Sequence, residues 1–328
     1  MSDETTGHPP GNGPGNEDRV DGDRWLRERW MPELDAVFAG HLNDGTAGQE
    51  MLMDRIPPGP TRPNPARIYD YWLGGKDHFE CDRDVAVEVA RTAPWAPAGA
   101  RACREFLRGS VLWLTAAGAD QFLDIGSGLP TAGNVHQVAQ TLNPTARVVY
   151  VDHDPVVLVH ARTLAATDPG VSVLDGDARS PAAILDAVRD GGLLDLDRPV
   201  VLLLSALLHF IGDHDHPHQI LATLREALAP GSYLLISHVV ADDDPVGQRT
   251  RAAVEQSAAS AGGFSARTTA EITALFDGFD LVPPGVARLR VDSGDVTVLG
   301  GIGRRPPRRE TPRDSSSRSG QGPSRRTG

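Results

Sequence analysis

From residue 119 onward the chain repeats one unit: a short run that is apolar on both faces, a glycine or aspartate, and then a stretch of helical periodicity. The runs fall at 121–125, 147–151, 171–175, 199–205 and 233–239, and the helical stretches between them at 133–141, 155–166, 181–188 and 217–229. A strand apolar on both faces must be covered on both, and strands separated by helices pair in parallel. The pattern therefore predicts an α/β protein with a doubly wound sheet. A last helix at 269–276 and two closing strands at 280–286 and 296–302, joined by a glycine-containing turn, complete the sheet. No internal repeat interrupts this order.

The organisation around that core follows from composition. At 328 residues the chain is long enough for one large domain with appendages, and its 35 glycines and 26 prolines collect toward the ends. Residues 1–22 are expected to be disordered. Residues 23–63 are read as an amphipathic helix, with Trp25, Leu26, Trp30, Leu34, Val37 and Phe38 on one stripe, followed by a proline-rich linker. The domain proper is placed at 64–303, opening with helices at 66–73, 81–92 and 100–117, and 304–328 is read as a basic disordered tail.

Net charge is −12, although eight arginines lie in the tail, so the body is more acidic still and would repel a phosphate backbone. Nucleic acid is not an expected partner. The longest apolar run, 200–211, is shorter than the ~20 residues a membrane span needs. The acidic N-terminal stretch lacks the pattern of a secretory signal, which points to the cytoplasm. Two cysteines, Cys81 and Cys103, are too few for a disulfide framework and are expected to be reduced.

The segment FLDIGSGLPTAGN carries the strongest chemical signal. A strand ends at Asp124, glycines 126 and 128 let the backbone turn sharply against a ligand, and a helix follows. Asp152 ends the next strand, 24 residues beyond Gly128, where a carboxylate accepts hydrogen bonds from ribose hydroxyls. The third strand leads to Asp177, within expected reach of an adenine amino group. A dinucleotide site would want a third glycine where Thr131 stands, and Asp124 would repel phosphate but attract an α-ammonium. S-adenosyl-L-methionine fits this pattern, having a sulfonium and an ammonium and no phosphate.

ARIYDYWLGGKDHFECDR, FLDIGSGLPTAGNVHQVAQ, RVVYVDHDPVVLVHAR, LLLSALLHFI, LAPGSYLLISHV and VLGGIGR together resemble a family of actinobacterial S-adenosylmethionine-dependent methyltransferases first catalogued as a domain of unknown function. The resemblance spans about 64–304. It implies a class I, Rossmann-like fold of seven strands with the last antiparallel, and S-adenosyl-L-methionine as cofactor. It matches Asp124, Gly126, Ser127 and Gly128 to the first cofactor motif, Asp152 and His153 to the ribose motif, and Asp177 with Ala178 to the adenine motif; Ser205 falls in the methyl-transfer region. The acceptor, expected to be a small molecule, and the oligomeric state are left open. Two rival readings are a non-catalytic protein that binds the same cofactor and an NAD(P)-dependent oxidoreductase. The first would bind without turnover, and the second would prefer the nicotinamide nucleotide.

In this class of fold N-terminal helices lie across the cofactor crevice. Tyr69, Tyr71 and Trp72 are placed to cover the sulfonium by cation–π attraction. Gly74 and Gly75 would end one helix in a left-handed turn and bring Lys76, the single lysine of the chain, to the cofactor carboxylate, with Asp77 capping the next helix. His209, at the end of the fourth strand, is the candidate general base. His214, His216 and His218 lie with it among Asp213 and Asp215, but on a strand-to-helix loop without rigid ligand spacing, so no metal is expected. His238 is read as structural.

Overall fold

Phe122, Leu123 and Ile125 are all fully enclosed, and their alternation divides the two faces of a central sheet. The computed structural model describes residues 62–130, 133–261, 264–289 and 298–307, with backbone only for 255–261. The expectations for 1–22, for the amphipathic helix and most of the linker, and for the tail beyond 307 concern residues outside this set.

Among the described residues three helices come first, α1 (Pro65–Trp72), α2 (Glu80–Thr92) and α3 (Ala96–Ala116). The alternating part follows as β1 (Gln121–Ile125), α4 (Val135–Gln140), β2 (Arg147–Asp152), α5 (Pro155–Ala165), β3 (Val171–Asp175), α6 (Pro181–Asp190) and β4 (Val201–Ser205). Two short 3-10 turns, Leu208–Phe210 and Asp213–Asp215, lead into α7 (Pro217–Ala227) and β5 (Tyr233–Val239). The closing elements are α8 (Pro245–Ala261), α9 (Thr269–Ala274), β6 (Asp280–Leu281), β7 (Ala287–Arg288) and β8 (Val298–Arg304).

The strand order is β3-β2-β1-β4-β5-β8-β6, with β7 also pairing β8. Strands β1 to β5 pair in parallel, and β8 runs antiparallel to β5, β6 and β7. This is the class I arrangement with an antiparallel last strand, with eight strands among the described residues rather than seven. Of the expected run 280–286 only 280–281 forms a strand, β6, and the extra strand, β7, lies beyond the run at 287–288. Pro283 and Pro284 lie between β6 and β7, and a residue without an N–H cannot continue a ladder.

On one face Leu123, Ile125, Leu202 and Leu204 pack with Ile184, Leu185 and Val188 of α6 and with Ile220, Leu221 and Leu224 of α7. On the other, Phe122, Val201 and Leu203 pack with Leu107, Val111 and Leu114 of α3 and with Val135 and Ala139 of α4. Each such side chain contributes ~1.5–3 kcal/mol by leaving water, which explains why the apolar runs located the strands so closely. Helix starts obey local rules. Pro155, Pro181 and Pro217 occupy the first turn of their helices, and Asp154 caps α5 by accepting from Val156 N and Val157 N at 2.8 and 3.2 Å. Among the described residues no helix is long and apolar enough to cross a membrane.

Candidate active site

From β1 the chain crosses to β2 and β3 on one side, and from β4 to β5 on the other, so the carboxyl ends of β1 and β4 face a topological switch point, where open α/β sheets bind ligands. A cavity of about 330 Å³ lies there, reached by Asp124, Gly126, Ser127, Gly128, Asp152, His153, Arg179 and Ser205. Its floor is the turn after β1. Gly126 and Gly128 have φ of 71° and 65°, and a Cβ on Gly126 would stand 2.5 Å from Leu207 Cδ1. The turn is pinned to β2 by Gly126 N and Ser127 N donating to Val151 O at 2.8 and 3.2 Å and by Gly128 N donating to Asp152 Oδ2 at 2.9 Å. Asp152 Oδ1 accepts from His153 N and Asp154 N. Three of a carboxylate's roughly four lone-pair sites are thus used, which leaves room for about one further donor.

Asp124 is buried, and its carboxylate takes no hydrogen bond from the described residues. Burial pushes its carboxyl up to about 7, with Arg104 opposing and Asp152 adding to the shift. Arg104, on α3, lines the same cavity. It donates one Nη2 hydrogen bond to Asn134 Oδ1 at 3.2 Å, while its buried Nε has no partner. A buried unpaired donor costs ~1–3 kcal/mol. A buried acid and a half-buried guanidinium with an enclosed, unpartnered Nε, both in one cavity, are complementary to the ammonium and carboxylate of an amino acid.

Helix α1 roofs this cavity with Pro65, Ala66 and Tyr69. A buried clasp holds it in place. Arg67 Nε donates to Asp82 Oδ2 at 2.7 Å, Asn64 N to Asp82 Oδ1 at 2.9 Å, and Asn64 Nδ2 to Asp154 Oδ2 at 2.5 Å. Asn64 also caps α1 by accepting from Ala66 N at 2.7 Å. One cluster therefore joins α1, α2 and the carboxyl end of β2.

The Gly74–His78 loop wraps around Asp70. Gly74, at φ 78°, ends α1 in a left-handed turn, and Gly75 N donates to Asp70 O at 2.9 Å. A Cβ on Gly75 would fall on the Asp70 carboxylate, which accepts from Asp77 N and contacts His78 Nδ1, each at 3.0 Å. Burial raises the Asp70 carboxyl, and its bonds to His78 and Asp77 oppose the rise. Lys76 is exposed and does not line the cavity. Tyr71 packs edge-on against His78 and faces a different surface. Asp77 does not cap the following helix. Phe79 stands at the N-cap, and Asp82, one turn inside α2, accepts its N–H at 2.9 Å; Asp77 instead lies 3.6 Å from His160 on α5.

Asp177 and Ala178 do not line the cavity. Arg179 chelates both Asp177 oxygens at 2.7–3.0 Å and itself faces the cavity. Burial pushes the Asp177 carboxyl upward, but the bonds from Arg179 outweigh it and the net shift is downward. Ala178 is buried in the core beside Ile184.

A second cavity, of about 90 Å³, adjoins the first, and the two share Pro65, Tyr69, Ala206 and Phe210 as walls. Ala206 follows Ser205 at φ 53°, a left-handed conformation that costs a non-glycine residue ~1–3 kcal/mol. It is held by Ser237, whose Oγ accepts from Ala206 N at 2.9 Å and lies 3.0 Å from Ser205 Oγ. His209 lines the second cavity between the rings of Phe210 and Phe264, each 4.5 Å away. It is 5% exposed, and its Nδ1 has no partner among the described residues. Burial, with His238 and Arg267 adding to it, holds the His209 imidazole well below its ordinary range, so the ring is neutral near pH 7. Buried Arg267 supports this wall, donating to Leu208 O, Ile211 O, His238 Nε2 and Asp213 Oδ1 at 2.8–3.0 Å. His238 is thereby fixed as an acceptor at Nε2, and burial lowers its pKa to about 4.

The profile of a family described as S-adenosyl methyltransferase matches residues 54–304. The chain belongs to the S-adenosyl methyltransferase family. It is 38% identical to a candidate methyltransferase from Thermobifida fusca, covering 76% of this chain and 98% of that one at a TM-score of 0.70. It is 37% identical to a DUF574 family protein from Streptomyces avermitilis, covering 75% and 98% at a TM-score of 0.69. A comparison with curated proteins gives no match.

S-adenosylmethionine is the cofactor of this methyltransferase family, and the residues present fit it. Asp124 and Arg104 line the cavity with opposite charges suited to an amino-acid end, the Gly126–Gly128 turn leaves its backbone open to a ligand, and Asp152 keeps lone-pair capacity for a hydroxyl donor. Two side chains at or behind the walls of these cavities escape a reading of the sequence. Arg104 sits in the run Arg101–Arg108, where charged side chains look solvated, and Arg267 precedes a helix with no pattern of its own. The cue for Arg104 was its place one turn before Leu107, on the face of α3 that meets the sheet.

Proposed function

We propose that the protein transfers a methyl group from S-adenosylmethionine to a small-molecule acceptor by in-line displacement. The observation that supports this reading best is the pair of adjoining cavities: a polar one where Asp124 takes no hydrogen bond and Arg104 Nε has no partner among the described residues, and an apolar one where His209 Nδ1 has none, meeting at Ala206 and Phe210. The cofactor, when bound, supplies an electrophilic methyl group on a sulfonium that is already a good leaving group. What remains for the chain is placement, and holding two reactants in line is worth up to ~7–11 kcal/mol.

Asp124 receives the ammonium, and Arg104, rather than the exposed Lys76, receives the carboxylate. Asp152 takes a ribose hydroxyl on its remaining lone pair, and Arg179, screening Asp177, faces the base. Helix α1 keeps water from the junction through Pro65 and Tyr69, the Tyr69 hydroxyl being tied to Ala100 O at 2.8 Å. His209 is a neutral group able to take a proton from the acceptor.

The test is incubation of the purified protein with methyl-labelled S-adenosylmethionine and a panel of small hydroxylated and N-heterocyclic acceptors. Label recovered in an organic product supports the reading. Tight binding of S-adenosylhomocysteine with no label transferred to any acceptor overturns it in favour of a binding protein.

A further inference from the structure

We propose that the second cavity is the acceptor site and that it takes a single-ring aromatic molecule bearing one hydroxyl or ring N–H, which donates its hydrogen to Nδ1 of His209. The proposal rests on the reading of the protein as a methyltransferase and narrows its substrate to a chemical class. The walls argue for an aromatic occupant: Trp72, Trp95, Phe210 and Phe264 line the cavity together with small aliphatic side chains. Its size sets one ring as the upper limit, with the space shared with the first cavity to accommodate it. A cavity of ~150 Å³ with apolar walls holds benzene, and this one, at about 90 Å³, has no space for a fused system without parting its helices.

The polar groups of the cavity argue for one donor on that ring. The Tyr69 hydroxyl is engaged by Ala100 O, Trp72 Nε1 donates to Ala86 O at 3.3 Å, and the Cys103 thiol is bonded to Ser237. His209 Nδ1 is buried and without a partner among the described residues. A neutral imidazole protonated on Nε2 presents Nδ1 as an acceptor. Methylation of a hydroxyl joins its oxygen to the methyl carbon and releases one proton, the electron pair of the broken carbon–sulfur bond staying with sulfur. His209 Nδ1 then receives that proton. An aromatic ether or hydrocarbon of the same shape has no hydrogen to give and leaves Nδ1 unsatisfied.

The experiment compares phenol with toluene on the full chain in saturating S-adenosylhomocysteine, following tryptophan fluorescence, since Trp72 and Trp95 line the cavity. Phenol is expected to bind at least tenfold more tightly than toluene, and His209→Phe, which keeps a ring and removes Nδ1, is expected to bind both equally. A wild-type protein that does not distinguish the two ligands, or an unchanged preference in His209→Phe, overturns the proposal. Nitrogen NMR of the wild-type protein gives a second readout that does not depend on the variant folding. The His209 Nδ1 resonance must have the position of an acceptor nitrogen and move on addition of phenol but not of toluene, and any other result overturns the proposal. Binding of S-adenosylhomocysteine without either ring compound removes only the acceptor assignment. Failure to bind S-adenosylhomocysteine removes the methyltransferase reading itself.

Discussion

Replacing Asp124 by asparagine separates what the carboxylate costs the fold from what it does for the ligand. A carboxyl that titrates at about 7 rather than 3.8 carries a cost of about 4 kcal/mol when ionised in the folded protein, at ~1.4 kcal/mol per pH unit. The folded value lies above the unfolded one, so the protonated group favours folding. That stabilisation is complete below pH 3.8 and is lost as pH rises to about 7. The substituted amide has no charge to bury. In thermal melts at pH 8 without ligand, Asp124→Asn is therefore expected to exceed wild type by as much as ~10 °C, and the gap should narrow as pH falls to 5. Ligand binding should move the other way. Loss of a hydrogen bond between charged groups, ~1.5–3 kcal/mol, weakens S-adenosylhomocysteine about ten- to hundredfold. Near pH 7 the wild-type protein should also release a proton on binding, as the ammonium draws Asp124 into its ionised form. Calorimetry in two buffers of different ionisation enthalpy measures that proton, and it should vanish in Asp124→Asn. Equal melting at pH 8 together with unchanged affinity would refute the assignment of Asp124 as a buried, unpaired partner for an ammonium.

Arg104→Met should weaken S-adenosylhomocysteine at least tenfold while leaving 5′-methylthioadenosine, which lacks the amino-acid end, within about twofold; Lys76→Ala should leave both affinities unchanged, and titration calorimetry distinguishes the two residues. Gly126→Ala places a methyl group 2.5 Å from Leu207 Cδ1 at a φ of 71°, and is expected to destabilise the fold by ~1–3 kcal/mol in denaturant titrations and to abolish cofactor binding. Asp82→Ala leaves buried Arg67 with only Asp154, at 3.7 Å, and Arg62 O, and should cost up to ~3 kcal/mol, with faster hydrogen exchange in α1 and α2 than in the sheet.

The sheet was legible because its residues carry the pattern themselves. Val201, Leu202, Leu203 and Leu204 are buried whichever face they meet, and no other arrangement hides such a run. Helix α8 was missed for the opposite reason. Its sequence, PVGQRTRAAVEQSAASA, is small and polar, with Thr250, Ala253 and Val254 among its buried residues over the portion whose side chains are described. The site was legible to the extent that it lies on strand ends: Asp124, Asp152 and Ser205 come together because parallel strands align their carboxyl ends. What sequence could not supply was the long-range polar contact. Asn64 and Asp154 are 90 residues apart, and nothing near Asn64 announces that partner. Arg104 and Lys76 illustrate the same limit. Arg104 is a cation on a helix and Lys76 one on a loop, both near the crevice, and only tertiary packing decides which one turns inward.

Because Pro65 and Tyr69 belong to the walls of both cavities, whatever fills one compartment presses on the boundary of the other. Thermodynamic reciprocity then requires that any acceptor change the affinity for S-adenosylhomocysteine by the same factor that S-adenosylhomocysteine changes the affinity for it. A library of metabolites can thus be screened without knowing the product: the true substrate is the compound that displaces the binding curve of the spent cofactor.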